Sequence, residues 1–357
     1  MLVERRARGE GAKGGLSSRL ARAARGLGAE ATPADAAALV LDVLVEGIGA
    51  RGGAIVVMDP RTALFTTGAV HQLPAPSCHP FFRFEVQSES ERTFRRLAAT
   101  GAGAVAVSCH PADDGYAERV LRPYGYADEL RVIGRHAGTS WAGVSLWRRP
   151  SEGPFTRADE QALDRVAADT GRIVRDAVVR SVGVASDAGT RHVVVVEGDD
   201  VVESSRRSAE DLEQLAHPDV EEYRHLDHLK ELARRDPSFS TVVGMADGRW
   251  LSAHGIPLGS GRVAIVLASA SPSDLFGVVV AGAGLTPREV EITRLLCRGH
   301  SDAEIAALLT ISPHTVHDHV RAVRSKLGVR SRSEVAAKVF AERYFDGFLS
   351  SAAVTHT

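Results

Sequence analysis

Residues Leu285–Tyr344 read LTPREVEITRLLCRGHSDAEIAALLTISPHTVHDHVRAVRSKLGVRSRSEVAAKVFAERY, and their punctuation marks out four short helices. Thr286-Pro287-Arg288-Glu289, Ser301-Asp302-Ala303-Glu304 and Ser331-Arg332-Ser333-Glu334 each carry the capping-box pattern. In that pattern the first hydroxyl accepts from a backbone amide in the first turn, and the Glu reaches back to the cap amide. Ser312-Pro313 opens the remaining helix with an N-cap hydroxyl and a proline at the first helical position. Gly299 and Gly328 follow the first and third segments, where a left-handed residue ends a helix. The apolar residues then assign faces. Ile292, Leu295 and Leu296 share one side of the first helix, and Ile305, Leu308 and Leu309 repeat that spacing in the second. In the third, Val316, Val320, Val323 and Leu327 form a stripe, with His314, His317, Asp318, Arg321 and Arg324 opposite it. A second helix bracing a third that is apolar behind and polar in front is the helix-turn-helix arrangement, whose third element enters the major groove of DNA.

The run from Leu285 to Arg332 closely resembles the C-terminal DNA-binding domain of LuxR-type bacterial transcription regulators. The resemblance implies that the helix from Pro313 is the recognition helix and that the helix from Arg332 helps dimerise. It implies that His317, Asp318 and Arg321 face bases, while Thr315 and His319 hold the backbone. Ser312, His314, Arg324, Lys326 and Arg330 complete the expected DNA-contacting set. Two departures stand out. His317 lies where family members often carry Lys, and Ser301-Asp302-Ala303-Glu304 replaces a frequent Ser-Asn-Lys-Glu. Each phosphate contact adds affinity and salt sensitivity through counterion release, so binding weaker than usual is expected. It should also be more pH-sensitive, because an imidazole ordinarily titrates near neutrality. Asp318 either accepts from cytosine N4 or merely offsets Arg321.

At 357 residues the chain is too long for one ordinary domain. With 44% hydrophobic residues and no long apolar run it reads as globular, cytoplasmic and free of membrane. From Gly284 onward there are ten Lys and Arg against eight Asp and Glu, so the net charge of −2 hides an acidic body on a mildly basic C-terminal unit. Cys78, Cys109 and Cys297 are too few for a disulfide framework and suit a reducing compartment. The expected organisation is multidomain. A flexible basic arm over 1–30 precedes an α+β module over 31–180 and a second α/β module over 192–271. An all-α four-helix unit over 284–348 closes the chain.

In the first module a helix from Pro33 to Glu46 leads to an apolar strand, Ala54–Met58. Further strands are expected at 105–107, 129–133 and 140–147, with a hairpin turn at His136-Ala137-Gly138-Thr139, then a long helix from Thr156 to about Arg180. Leu163, Val166, Ile173 and Val174 are its packing face rather than a dimer seam. The run from Leu121 to Arg131, with Thr139–Gly143, resembles the GAF-type sensor domain often found on actinobacterial LuxR-type regulators. In the second module, strands at 193–196, 241–245, 249–252 and 262–268 surround helical segments at 208–215 and 220–234, with Asp247-Gly248 as a hairpin signal. That pattern resembles a PAS-like fold. The rival is a phosphorylatable receiver, suggested by Val193–Val196 followed by acidic residues and by Asp247; the span is short for it. Ser181–Arg191 and Ala281–Gly284 read as linkers.

Ser-Cys-His-Pro occurs twice, at 77–80 and 108–111. Cys78, His79, Cys109 and His110 could make a tetrahedral zinc site, although adjacent Cys and His on a strand point apart, and buried inert thiols are the plainer account. Phe82, Tyr124, Tyr126 and Trp141, within an aromatic-rich first module, are the candidates for a small-ligand pocket, against the simpler reading of core packing. Phosphate-loop, nucleophile-elbow and His-Glu-x-x-His motifs are lacking, so no enzymatic activity and no cofactor are expected. The resulting expectation is a homodimeric regulator that reads double-stranded operator DNA and senses an unidentified small ligand, with RNA polymerase a candidate partner. The alternative is an interaction protein that titrates a partner through a weakened DNA-binding unit.

Overall fold

A computed structural model describes residues 15–108, 115–182, 191–205, 225–245 and 247–341. The first body opens with α1 (Leu16–Arg25) and α2 (Pro33–Ile48), followed by β1 (Gly52–Met58), β2 (Phe65–His71), α3 (Cys78–Gln87), α4 (Phe94–Thr100) and β3 (Val105–Ala106). It continues through β4 (Asp128–His136), β5 (Thr139–Arg148), α5 (Arg157–Asp164) and α6 (Ala167–Ser181). The strands form one antiparallel sheet in the order β2-β1-β5-β4-β3. Thr32 and Asp35 build a capping box under α2, and Gly49 ends that helix at φ 73°.

The structure differs from the sequence reading in three places. Residues 16–25, expected within a flexible arm, are helical because Leu16 and Leu20 bury completely or nearly so against α2; each such burial contributes about 1.5–3 kcal/mol. The long helix from Thr156 is broken at Arg165–Val166 into α5 and α6. The first Ser-Cys-His-Pro lies on the opening turn of helix α3, not on a strand. The expected packing face does pack: Leu163, Val166, Ile173 and Val174 are all buried in the core between the helices and the sheet. Close approach of α6 to β4 depends on Gly171, where a β-carbon would stand 2.5 Å from the backbone carbon of Arg135.

The opposite face of this sheet is aromatic and ionic. Phe81, Phe82, Phe84, Phe94, Tyr116, Tyr126 and Trp147 are buried there. Among them Arg131, 1% exposed, reaches Glu85 at 2.5 Å and Glu129 at 2.9 Å and lies over the Tyr116 ring at 4.7 Å. Burial raises the Glu85 pKa, against the pull of Arg131 and of the Phe94 amide. Arg131 stays charged: burial disfavours its cationic form, but Glu129, Tyr116 and Glu85 outweigh that.

The second body contains β6 (Arg191–Glu197), β7 (Asp200–Ser204), α7 (His225–Arg235), β8 (Ser240–Gly244), β9 (Trp250–Gly259) and β10 (Arg262–Ser269). Its sheet order is β7-β6-β10-β9-β8, which repeats the order of the first sheet strand for strand. Every ladder is antiparallel, which excludes the parallel sheet of a receiver. Asp247, the supposed phosphoacceptor, sits in the β8–β9 turn and accepts from the Arg249 amide at 3.0 Å and its Nε at 2.6 Å. The helix expected at 208–215 lies outside the described residues. Helix α7 packs on α3 of the first body, where Gln87 Nε2 donates to the Glu231 carbonyl at 2.9 Å and Arg235 to the Val86 carbonyl at 2.7 Å.

In place of a linker before the C-terminal unit, α8 (Pro272–Gly282) forms on a Ser271/Asp274 capping box. Its Leu275 and Val278 enter the core of the first body, while Phe276 and Val280 enter the core of the C-terminal helices. Arg175 of α6 donates to the Gly282 carbonyl at 2.9 Å. Four helices follow: α9 (Pro287–Cys297), α10 (Asp302–Leu309), α11 (Pro313–Leu327) and α12 (Arg332–Ala336), the last extended by a π-turn over Ala337–Ala341. Among the described residues no helix is long and apolar enough to cross a membrane.

Candidate nucleic-acid interface

The caps read from sequence set this unit's geometry. Thr286 accepts from the Glu289 amide at 3.3 Å, Ser301 from Glu304 at 3.3 Å, Ser312 from Thr315 at 3.0 Å and Ser331 from Glu334 at 3.2 Å. Each cap satisfies an amide that the helix cannot. Gly328 ends α11 at φ 68°. Between α10 and α11 the turn falls on Thr310 at φ 52°, a left-handed position uncommon for a β-branched residue. Arg288 of α9 donates to the Leu309 carbonyl at 2.9 Å and braces that turn, a contact that no local motif announces.

Helix α11 then presents two faces. Val316, Val320, Val323 and Leu327 are buried against Ile292, Leu296 and Ile305. Ser312, His314, Thr315, His317, Asp318 and Arg321 are exposed together, and His319 is half-buried beside them. The remaining cations of the expected set are placed differently. Lys326 reaches back to Glu289 at 2.7 Å. Burial pushes the Glu289 pKa up, but the bonds from Lys326 and Thr286 outweigh it and the carboxyl ends below its ordinary value. Arg324 hydrogen-bonds the Arg330 carbonyl and ties the end of α11 to the next loop. Arg330 is exposed in that loop, and its amide donates to Glu334 at 2.8 Å. Arg324 and Lys326 therefore serve the fold of the unit in this structure, because each finds an acceptor within the unit.

The exposed face is electrostatically muted. His314 lies 3.7 Å and Arg321 3.5 Å from Asp318, and His317 lies 3.9 Å from Asp302. Asp302 also pairs with Arg332 of α12, whose other nitrogen holds the His300 carbonyl. Surface pairs of this kind contribute little to stability, but they lower the positive potential that phosphate would meet.

The ligand candidates divide. Phe82 and Tyr126 are buried and Tyr124 half-buried on the aromatic face, with the Tyr126 hydroxyl donating to the Gln72 carbonyl at 2.9 Å and the Tyr124 hydroxyl to Pro76 at 2.8 Å. Trp141 sits on the other face of the sheet, packed with the helices. A bulge explains this: Gly134 pairs with Ala142 and Arg135 with Ser140, so Trp141 is the extra residue and turns to the opposite side. The space beneath Phe81, Phe82, Cys78 and Trp147 is about 20 Å³, room for about one water. A larger cavity of about 260 Å³ lies between the two bodies, lined by Phe65, Val86, His228, Leu232, Arg235 and Phe239. Cys78 is buried on the aromatic side, whereas His79 points toward the second body; Cys109 and His110 lie outside the described residues. The Cys297 thiol is pushed up to about 11 by burial, which keeps it protonated and unreactive.

Residues 283–339 match the family of bacterial regulatory proteins called luxR. The spore germination protein GerE of Bacillus subtilis is 40% identical over 55 residues, which make up 15% of this chain and 74% of that protein. Among solved structures, SdiA in complex with octanoyl-rac-glycerol aligns over 92% of this chain and 93% of its own, at 14% identity and a TM-score of 0.34. VqmA of Vibrio cholerae in a complex with ligand and DNA aligns over 43% of this chain and 83% of its own, at 15% identity and a TM-score of 0.21. Likenesses that distant carry no argument about this chain, and the weight rests on the C-terminal match. Through that unit, the chain belongs to the luxR family of bacterial regulatory proteins.

Proposed function

We propose that the protein is a sequence-specific transcription regulator, acting as a homodimer, whose helix α11 reads operator DNA in the major groove. The observation that carries this reading is the exposed polar face from Ser312 to Arg321 on a helix whose other side is locked into a buried core. In this reading His317, Asp318 and Arg321 meet base edges, and Ser312, His314, Thr315, His319 and Arg330 position the phosphate backbone. The signal is a small molecule bound by the N-terminal bodies, and the cavity of about 260 Å³ between them, partly open to solvent, is the candidate site. The GAF-like and PAS-like assignments of the two bodies, with domains at 31–180, 192–271 and 284–348, belong to the same proposal.

The test is binding of the full chain to the DNA upstream of its own gene at two salt concentrations, with Arg321→Ala as the control. Salt-dependent binding lost in the variant is expected; salt-independent binding, or binding indifferent to Arg321, would sink the reading. The paired cations of the exposed face favour one alternative, a regulator that grips DNA weakly and titrates a protein partner. His317→Lys separates the two. It restores the cation that family members often carry there, so a DNA reader should bind about 5- to 10-fold more tightly, while a titrating protein should show no change in its output.

A further inference from the structure

Glu231 of α7 is fully buried where the two bodies meet. Its Oε1 lies 3.3 Å from Nε2 of His79, on the first turn of α3, and the same nitrogen is 3.4 Å from Oδ1 of Asp199, in the β6–β7 turn. Three donors of metal-ligating type therefore converge from three separate elements, one from the first body and two from the second. Around a tetrahedral zinc ion with ligands at about 2.0–2.1 Å, neighbouring donor atoms stand about 3.3 Å apart. Both measured imidazole-to-carboxylate separations match that edge. The other oxygen of Glu231 accepts from Gln87 Nε2 at 3.2 Å, the kind of outer hydrogen bond that orients a ligating carboxylate. His79 also lines an open cleft of about 590 Å³ with Arg83, Gln87 and Arg119, which provides a route for an ion and its water.

A cation already shares these carboxylates. Arg234 Nη1 is 2.8 Å from Glu231 Oε1, and its Nη2 holds Asp199. The guanidinium is partly exposed and lies one turn from Glu231 on the same helix, so it can turn outward into water while the carboxylates stay in place. Arg83 also adds positive charge near Asp199 and helps to keep its carboxylate ionised, after the hydrogen bond from Arg234.

We infer that His79, Asp199 and Glu231 form a divalent-metal site of zinc type that clips the second body to α3 of the first, with Arg234 as its exchangeable counter-ion. This site is independent of the DNA-reading role. The experiment is titration of the metal-free, reduced full chain with Zn²⁺ by calorimetry, repeated for His79→Ala, Asp199→Asn and Arg234→Gln, with circular dichroism checking each fold. Asp199 is exposed and Asn keeps its shape, so that variant tests the site without endangering the core. One equivalent of zinc is expected in the parent protein, at least about tenfold weaker in His79→Ala and Asp199→Asn. Arg234→Gln should bind zinc more tightly, because it removes the competing cation; a purely structural ion-pair cluster predicts no such gain. No saturable binding would overturn the assignment. Zinc retained equally in His79→Ala and Asp199→Asn would also overturn it, by placing the metal on other residues such as Cys109 and His110.

Discussion

The first sheet is closed on both faces, by α2 and α6 on one and by an aromatic layer around Arg131 on the other, whereas the second, built in the same strand order, leaves its edge strand β7 exposed at all five residues. The interiors differ as well. The first encloses one guanidinium against two carboxylates. The second buries Leu226, Leu229 and Leu232 of α7 on its sheet, with His225 and His228 on the same helix. One topology therefore supports two kinds of interior. Strand order dictates which elements are neighbours, and side-chain chemistry dictates what stress each interior resists.

The largest expected effect is on the first interior. Arg131→Met removes the positive charge and leaves Glu85 and Glu129 facing each other in the core, so urea unfolding should show a loss of about 3–5 kcal/mol. A loss under about 1 kcal/mol would mean that the two interiors are energetically alike. Acid should act on the second. Burial lowers the pKa of His225 to about 4 and that of His228 to about 3. The unfolded chain takes up protons from about pH 6.5 downward while the folded chain refuses them. Stability is therefore complete above about pH 6.5 and falls by a few kcal/mol toward pH 4. The His228 ring lies 5.1 Å from that of Phe65 and 5.8 Å from that of Phe82, and His228→Phe should flatten that slope in thermal melts across the range. An unchanged slope would assign the acid sensitivity elsewhere. The smallest effect belongs to the open edge: Val202→Thr on β7 should shift stability by no more than about 0.5 kcal/mol. A larger loss would show that something covers this strand in solution.

The C-terminal unit was legible because its signals are local. A cap and its partner lie within four residues, and the apolar stripe repeats within one helix, so Ser312, Val316 and Val320 could be placed without knowledge of their neighbours. The core of the first body depends on distant pairs. Nothing near Glu85 announces Arg131, and Cys78–Gln87, rich in aromatics, gives no helical stripe because α3 is buried on several sides at once. The side of the sheet that Trp141 takes cannot be read from the sequence, because strand alternation predicts a face only while the ladder is regular, and the bulge at that residue breaks it. Helix α8 is the instructive omission. Its Gly277 and valine run argue against a helix, yet Ser271-Pro272-Ser273-Asp274 is a capping box of the kind that located the C-terminal helices. On the C-terminal helices, sequence places Arg324 on the polar row of its helix but gives no warning that the Arg330 carbonyl accepts from it, or that Lys326 reaches back to Glu289.

Helix α8 also bears on modularity. A cut at the start of the family match, near Gly284, removes Phe276 and Val280, two core side chains of the C-terminal unit, and leaves them on the other fragment as bare apolar surface. A cut at Ser271 keeps the cap and those side chains but opens a hole in the first body where Leu275 and Val278 had been. No single scission spares both halves. Grafting this C-terminal unit onto other bodies, or these bodies onto another C-terminal unit, would require a redesigned helix that fits both partners, and an off-the-shelf hinge would not suffice.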